Sequence, residues 1–280
     1  MTLTEVRQLL GELGLRPSKV LGQNFLIDQN IRDLIIRQAD IRADETVIEV
    51  GPGLGALTQE LIKRARRLIA IEKDPRLAEY LRHRYPGLEL IQGDAVEVLR
   101  TSSLISTAAG KPHPSSFKVV SNLPYSISTP ILERFVEAAL KPRALVLTVQ
   151  REVAHRLAAT PRHKDYGALT VFTQLSYHVT IVHVVSPRCF FPMPHVDSAI
   201  VVLERRDPRL KLAENAPFHD IVRRGFSQRR KMLRNLLDGT DRVTAAFAAV
   251  GIPLTARAEE LHIEQWIALA NALRPAAPAP

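Results

Sequence analysis

A single cysteine, Cys189, in 280 residues excludes an internal disulfide framework and any cysteine-rich zinc site. The nine histidines are scattered without metal-ligand spacing, so no metal is expected. No apolar run approaches the roughly 18 residues that a membrane span needs. The opening MTLTEVRQLLGELG has no apolar signal-peptide core, and Glu5 and Glu12 argue against a transit peptide. Acids are in deficit: 29 Asp and Glu stand against 38 Lys and Arg, a net charge of +9. Such an excess favours acidic partners, nucleic acid above all, although an ordinary basic surface gives the same total. The expectation is a cytoplasmic, basic protein without a membrane segment, long enough for one large domain and a smaller one.

What is present is an alternation. TVIEV (46–50), RLIAIE (67–72), LELIQ (88–92), FKVVS (117–121) and ALVLTVQ (144–150) read as strands. Helix-start chemistry lies between them: Asp28 before an amphipathic stretch, Asp74-Pro75 as a cap and first-turn proline, and Thr129-Pro130 as a second such pair. Alternation of this kind predicts a parallel sheet with helices on both faces. YHVTIVHVV (177–185) and SAIVVLERR (198–206) are separated only by a Pro-rich loop and read as an antiparallel pair closing one edge. From about residue 207 only helical periodicity remains, which predicts domains over 1–206 and 207–280, with a disordered tail at 273–280. The Ser/Thr/Ala/Pro stretch 101–116 reads as an inserted surface loop.

The first strand runs into EVGPGLGALT, with Glu49, Gly51, Gly53 and Gly55. Glycines there let the backbone approach a ligand, and the following helix offers free N–H groups. Glu72 ends the second strand, where a carboxylate can accept both hydroxyls of a ribose. Asp94, followed by Ala95, ends the third, where a carboxylate can take the exocyclic amine of an adenine. Taken singly, each acid is as well explained as a helix cap or a solvated group. Three contacts at three successive strand ends imply an adenosine-bearing cofactor, which leaves NAD and S-adenosylmethionine open.

The fourth strand ends in Asn122, Leu123, Pro124 and Tyr125. Hydride transfer has no evident use for this series, whereas methylation of an exocyclic amine has one. The amine of adenine is a poor nucleophile because its lone pair is delocalised into the ring. The amide oxygen of Asn122 and the carbonyl of Leu123 can accept its two hydrogens and localise that pair. Pro124 stiffens the turn, and Tyr125 offers a face on which the base stacks. Phe191, in FFPMPHVD, is a candidate for the opposite side of the slot, set against a reading as a core ring. Gln23 and Asn24 precede the Asp28 cap and are placed to fold over the cofactor.

These motifs together resemble the ribosomal RNA adenine N6-dimethyltransferase family, in particular its bacterial small-subunit (16S) branch. The likeness rests on KVLGQNFLID (19–28), EVGPGLGALT, NLPYSISTP, YGALTV (166–171), FPMPHVDSA (191–199) and FSQRRKMLRNLL (226–237). It implies a Rossmann-like class I methyltransferase sheet, a helical C-terminal domain and a monomer using S-adenosylmethionine on 16S rRNA. It further implies that Asn24, Leu26, Gly51, Glu72, Asp94 and Asn122 contact the cofactor. A large-subunit (23S) dimethylase and a non-catalytic assembly or transcription factor are the competing readings. The run IVRRGFSQRRKMLRNLL holds Arg223, Arg224, Arg229, Arg230, Lys231 and Arg234 without an acid. With Ser227 as its cap, a helix carrying the last four would present a basic face to RNA phosphates.

Overall fold

Nine strands account for the β-structure of the computed structural model, which describes residues 1–18, 20–100, 117–138, 140–206 and 211–275. They are β1 (Phe25–Leu26), β2 (Thr46–Val50), β3 (Arg67–Glu72), β4 (Glu89–Gln92), β5 (Phe117–Asn122), β6 (Ala144–Gln150), β7 (Tyr177–Val185), β8 (Phe190–Phe191) and β9 (Ser198–Arg205). Seven of them form a sheet in the order β4-β3-β2-β5-β6-β9-β7, and β1 with β8 makes a separate ribbon. Pairings among β2 to β6 are parallel, and β9 runs antiparallel to β6. All five residues of β2 are buried, as are the central five of β6. Both faces of the sheet are therefore covered, as the β-branched runs required. The expected inserted loop at 101–116 and the last residues of the expected tail, 276–280, lie outside the described residues, as do Lys19 and the expected boundary at residue 207.

The sheet order reverses between β2 and β5. Their ladder runs through Thr46↔Phe117, Val47↔Lys118 and Ile48↔Val119. Further along, the Val50 N–H donates instead to the Ser121 hydroxyl at 2.8 Å. At the other end, Lys118 is buried and bonds Glu45 at 2.9 Å and the carbonyls of Ala39 and Asp40 at 3.0 and 2.6 Å. The strands are thus clamped at their N-terminal ends and part at their C-terminal ends, where such sheets bind ligands.

Two compact units divide the chain: Met1–Ala154 with Val179–Arg205, and His155–His178 with Arg206–Pro280. This differs from a single cut at residue 206, because 155–178 joins the helical unit. Tyr166 packs its ring near Phe226 and donates its hydroxyl to the Leu261 carbonyl at 2.7 Å, while Phe172 lies against Phe218 and His219. No composition change at residue 155 marks this return of the chain. Among the described residues from 211 onward there are helices and no strands, with Trp266 wholly buried between them.

Two caps differ from expectation. Asp28 and Asp74 do accept from the first-turn amides of Ile31 and Arg76. Thr129, however, is inside its helix, which starts at Ser128 directly out of a 3-10 turn at Tyr125–Ile127. Ser227 ends the helix Phe218–Ser227 and donates to the Arg224 carbonyl, and the next helix is the short Leu233–Leu236. The basic run is consequently a bend between two helices and has no single helical face.

Candidate active site

The loop after β2 carries Gly51, Gly53 and Gly55 at φ 65, 59 and 84, a region that side chains other than glycine rarely adopt. Space compounds the requirement. A Cβ at Gly51 would stand 3.1 Å from the Pro124 ring, and one at Gly53 would stand 3.1 Å from the Phe25 ring. Glycine at these positions therefore allows NLPY and β1 to close directly onto the loop.

Glu72, at the end of β3, is buried and accepts from the N–H groups of Gly53 at 3.0 Å and Asp74 at 2.9 Å. Burial raises its pKa against the opposing pull of these amides. Glu49 is buried beside it and accepts from the Thr58 hydroxyl at 2.7 Å. Loss of water around Glu49, reinforced by the charge of Glu72, pushes its pKa up to about 8. Asp94 behaves differently. Lys73 sits 2.8 Å from it and lowers its pKa, and its other oxygen accepts from the Val96 amide as a helix cap. For Asp94 the cap and the cavity position coexist.

Asn122 ends β5, and its side-chain nitrogen donates to the Asn24 carbonyl at 3.0 Å. Only the nitrogen of a carboxamide can donate, so this bond fixes which atom faces which way. The Asn122 oxygen has no partner among the described residues. Ser128 donates to the Pro124 carbonyl at 3.1 Å and fastens the turn. The Tyr125 hydroxyl is hydrogen-bonded to the buried Ser198 at the start of β9, and burial raises the pKa of the phenol.

One cavity collects most of these groups. Gln23, Asn24, Leu26, Glu49, Gly51, Gly53, Glu72, Asp94, Ala95, Asn122, Leu123, Pro124 and Tyr125 all line it. Phe191 is not among its lining residues. It pairs with Phe25 across the β1/β8 ribbon, packs beside Val6 and Leu10, and has the Arg7 guanidinium 5.3 Å from its ring. Phe190 is a core residue, packed with the cluster around Leu26 and Ile200. Phe191 thus faces the N-terminal helix, its side set by two-residue alternation in the short ribbon.

Three contributors escaped the sequence reading. Ser121 and Ser198 are serines inside apolar strands, a pattern that flags a buried hydroxyl without naming its partner. Gly22, at φ 64, abuts the Ser126 hydroxyl, 3.0 Å from where its Cβ would lie. In the helical unit the six predicted RNA contacts separate into kinds. Arg224 bonds the Leu236 carbonyl and Asp238, and Arg229 bonds Glu259 and the Lys164 carbonyl. Arg223 is exposed, and Arg234 is half-buried with its Nε unpartnered. The side chains of Arg230 and Lys231 are exposed and have no partner among the described residues.

A parallel sheet with its crevice at the β2/β5 reversal, a glycine loop, an acid ending β3 and an antiparallel strand beside β6 defines a Rossmann-like class I methyltransferase fold. Within that class the chain belongs to the ribosomal RNA adenine dimethylase family, whose sequence model matches residues 15–274. The small subunit rRNA methyltransferase A of Geobacter metallireducens is 41% identical over 93% of this chain and 96% of its own. Among solved structures, the 23S rRNA methyltransferase ErmE superposes with a TM-score of 0.66 at 32% identity, covering 89% of this chain and 99% of that one. A dimethyladenosine transferase from Plasmodium falciparum gives 0.69 at 26% identity, covering 88% and 95%.

Proposed function

We propose that the protein transfers methyl groups from S-adenosylmethionine to N6 of two adjacent adenosines near the 3′ end of 16S rRNA, in small-subunit biogenesis in the cytoplasm. The carrying observation is the Asn122 carboxamide, whose nitrogen is committed to Asn24 and whose oxygen is thereby held as an acceptor in a cavity shared with the glycine loop.

The cavity residues fit the cofactor. Glu72 uses one acceptor site on each oxygen for backbone amides and retains others for ribose hydroxyls. Asp94 would take the adenine amine, and Gln23 and Asn24 would fold over the carboxylate and amino ends of the cofactor. When bound, S-adenosylmethionine supplies an electrophilic methyl group on its sulfonium. The chain's own residues present the nucleophile. Asn122 Oδ1 and the Leu123 carbonyl accept the two N6 hydrogens and draw the nitrogen lone pair out of the ring. Pro124 holds that turn, and Tyr125, anchored through Ser198, stacks on the adenine. No strong base is required before attack, since N6 becomes acidic only as the new bond forms.

The 16S reading is favoured over the 23S reading by identity: 41% to a relative named for the small subunit against 32% to ErmE. The test is to map labelled methyl groups on undermethylated small and large ribosomal subunits. Label in adjacent adenosines of 16S rRNA is expected, and label in the large subunit alone would reject the assignment. Asn122→Ala should lower transfer roughly 100- to 1000-fold, by analogy with removal of one preorganised hydrogen-bonding group, while subunit binding persists. Near-normal transfer would refute amine activation by Asn122.

A further inference from the structure

Gln23 lines the cavity, yet both ends of its carboxamide are committed inside the protein. The oxygen accepts from the Ser18 N–H at 2.8 Å, and the nitrogen donates to Asp74 Oδ2 at 3.4 Å. Only the oxygen can accept from an amide and only the nitrogen can donate to a carboxylate, so the group cannot flip without losing both bonds. Ser18 closes the turn on itself. Its carbonyl accepts from the Gln23 N–H at 3.1 Å, and its hydroxyl accepts from the Leu21 N–H at 3.3 Å. Val20, Leu21, Gly22 and Asn24 line the same cavity, so this turn is a strap laid along it.

The strap is fastened to both halves of the site. On one side Asp74 takes the Gln23 bond on Oδ2, caps its helix by accepting from the Arg76 amide on Oδ1 at 3.0 Å, and donates its own N–H to Glu72 at 2.9 Å. On the other side the Asn24 carbonyl accepts from the Asn122 carboxamide at 3.0 Å. Gly22 backs directly onto the NLPY turn: a Cβ there would stand 3.0 Å from the Ser126 hydroxyl and 3.4 Å from the Tyr125 amide nitrogen. One hydrogen-bonded line therefore runs from Glu72 through Asp74, Gln23 and Asn24 to Asn122, and the Gln23–Asp74 bond joins its two halves.

We propose that Gln23 is a positioning residue for methyl transfer, acting on the Asn122 carboxamide through the strap. Its grip on Asp74 fixes where the Asn24 carbonyl stands, and that carbonyl holds the Asn122 nitrogen so that the oxygen is left for the adenine amine. Loss of the grip then impairs the acceptor side of the reaction as well as donor binding. A residue that merely touched the donor would affect donor binding alone. The inference rests on the rRNA methyltransferase reading above and adds to it a coupling between the two halves of the site.

The test is a reciprocal exchange across the bond in the full chain. It is read by calorimetric affinity for S-adenosylmethionine and by kcat on undermethylated small ribosomal subunits at saturating donor. Q23E sets two carboxylates against each other. D74N keeps an oxygen for the Arg76 amide, since asparagine caps helices as well as aspartate does, but turns a donor toward the Gln23 nitrogen. In Q23E/D74N the new carboxylate accepts from the new amide, and its second oxygen keeps the Ser18 N–H. Each single variant should bind the donor roughly 10-fold more weakly and lose roughly 10-fold in kcat, the scale of a hydrogen bond to a charged group. The double variant should recover most of both. A double variant no better than the worse single one would overturn the proposal, whichever of them melts lower. Unchanged kcat in both single variants would overturn it too, leaving Gln23 as a contact of the donor only. A wild-type protein that binds the donor but leaves the subunits unmethylated would count against the rRNA reading, while the affinity cycle would still decide the Gln23–Asp74 tie.

Discussion

Glu49 and Glu72 are two carboxyls out of water within one cavity, and this proximity has a consequence for pH. Glu49, with its pKa at about 8, keeps its proton where an unfolded glutamate has lost it. The native state therefore binds more protons than the unfolded state between pH 4.5 and about 8, and stability falls as pH rises through that window. Below pH 4.5 the group is protonated in both states, and above about 8 it is ionised in both. Glu49→Gln should thus gain stability relative to wild type with rising pH, at up to ~1.4 kcal/mol per pH unit, as read from denaturant melts. A constant difference across the window would mean that Glu49 is ionised in the folded protein. The sequence shows Glu49 and Glu72 as acids at strand ends. It does not show their mutual burial, which depends on the glycine loop folding back to donate Gly53 N–H to Glu72.

Element boundaries were legible wherever a period or a cap set them. β2, β3 and β6 span the residues their β-branched runs predict, and Asp28 and Asp74 cap the helices they precede. The failures share a cause. Ser227 and Thr129 are residue types that cap helices, but the adjoining turns had already fixed where each helix ends or begins. Gly225 was silent in sequence, although it is a packing requirement of the helix Phe218–Ser227. A Cβ there would lie 2.8 Å from the buried Trp266 ring and 2.9 Å from a Leu233 methyl. Gly225→Ala gains about 1 kcal/mol of helix propensity, yet overpacking of this kind costs about 1–3 kcal/mol. A lowered melting temperature is expected, and an unchanged or raised one would show that the indole moves aside.

At the scale of the whole chain, the helical unit is made of two segments that the sequence separates by Val179–Arg205. Composition cannot reveal such a return, because ALTVFTQLS is as apolar as any helix that would cover the sheet. Its partners identify it: Phe172 against Phe218, and Tyr166 against Phe226 and the Leu261 carbonyl. A chain ending at Arg206 keeps 155–178 while discarding Phe218, Phe226 and the Leu261 carbonyl, its partners in the helical unit. That fragment is expected to bind the dye ANS strongly and to melt below the intact protein. A fragment with native-like melting and no dye binding would place 155–178 with the sheet.

The parting of β2 from β5 rests on one hydroxyl. Ser121 holds the Val50 amide, with Gly51 one peptide beyond Val50 and Asn122 one peptide beyond Ser121. On the proposed function, the separation between methyl donor and acceptor base would be gauged by a side chain and not by the sheet's own spacing. A spacer of that sort ties the glycine-loop side and the Asn122 side of the cavity to a common ruler, so that on this reading a change at residue 121 would move both ends of the transfer at once.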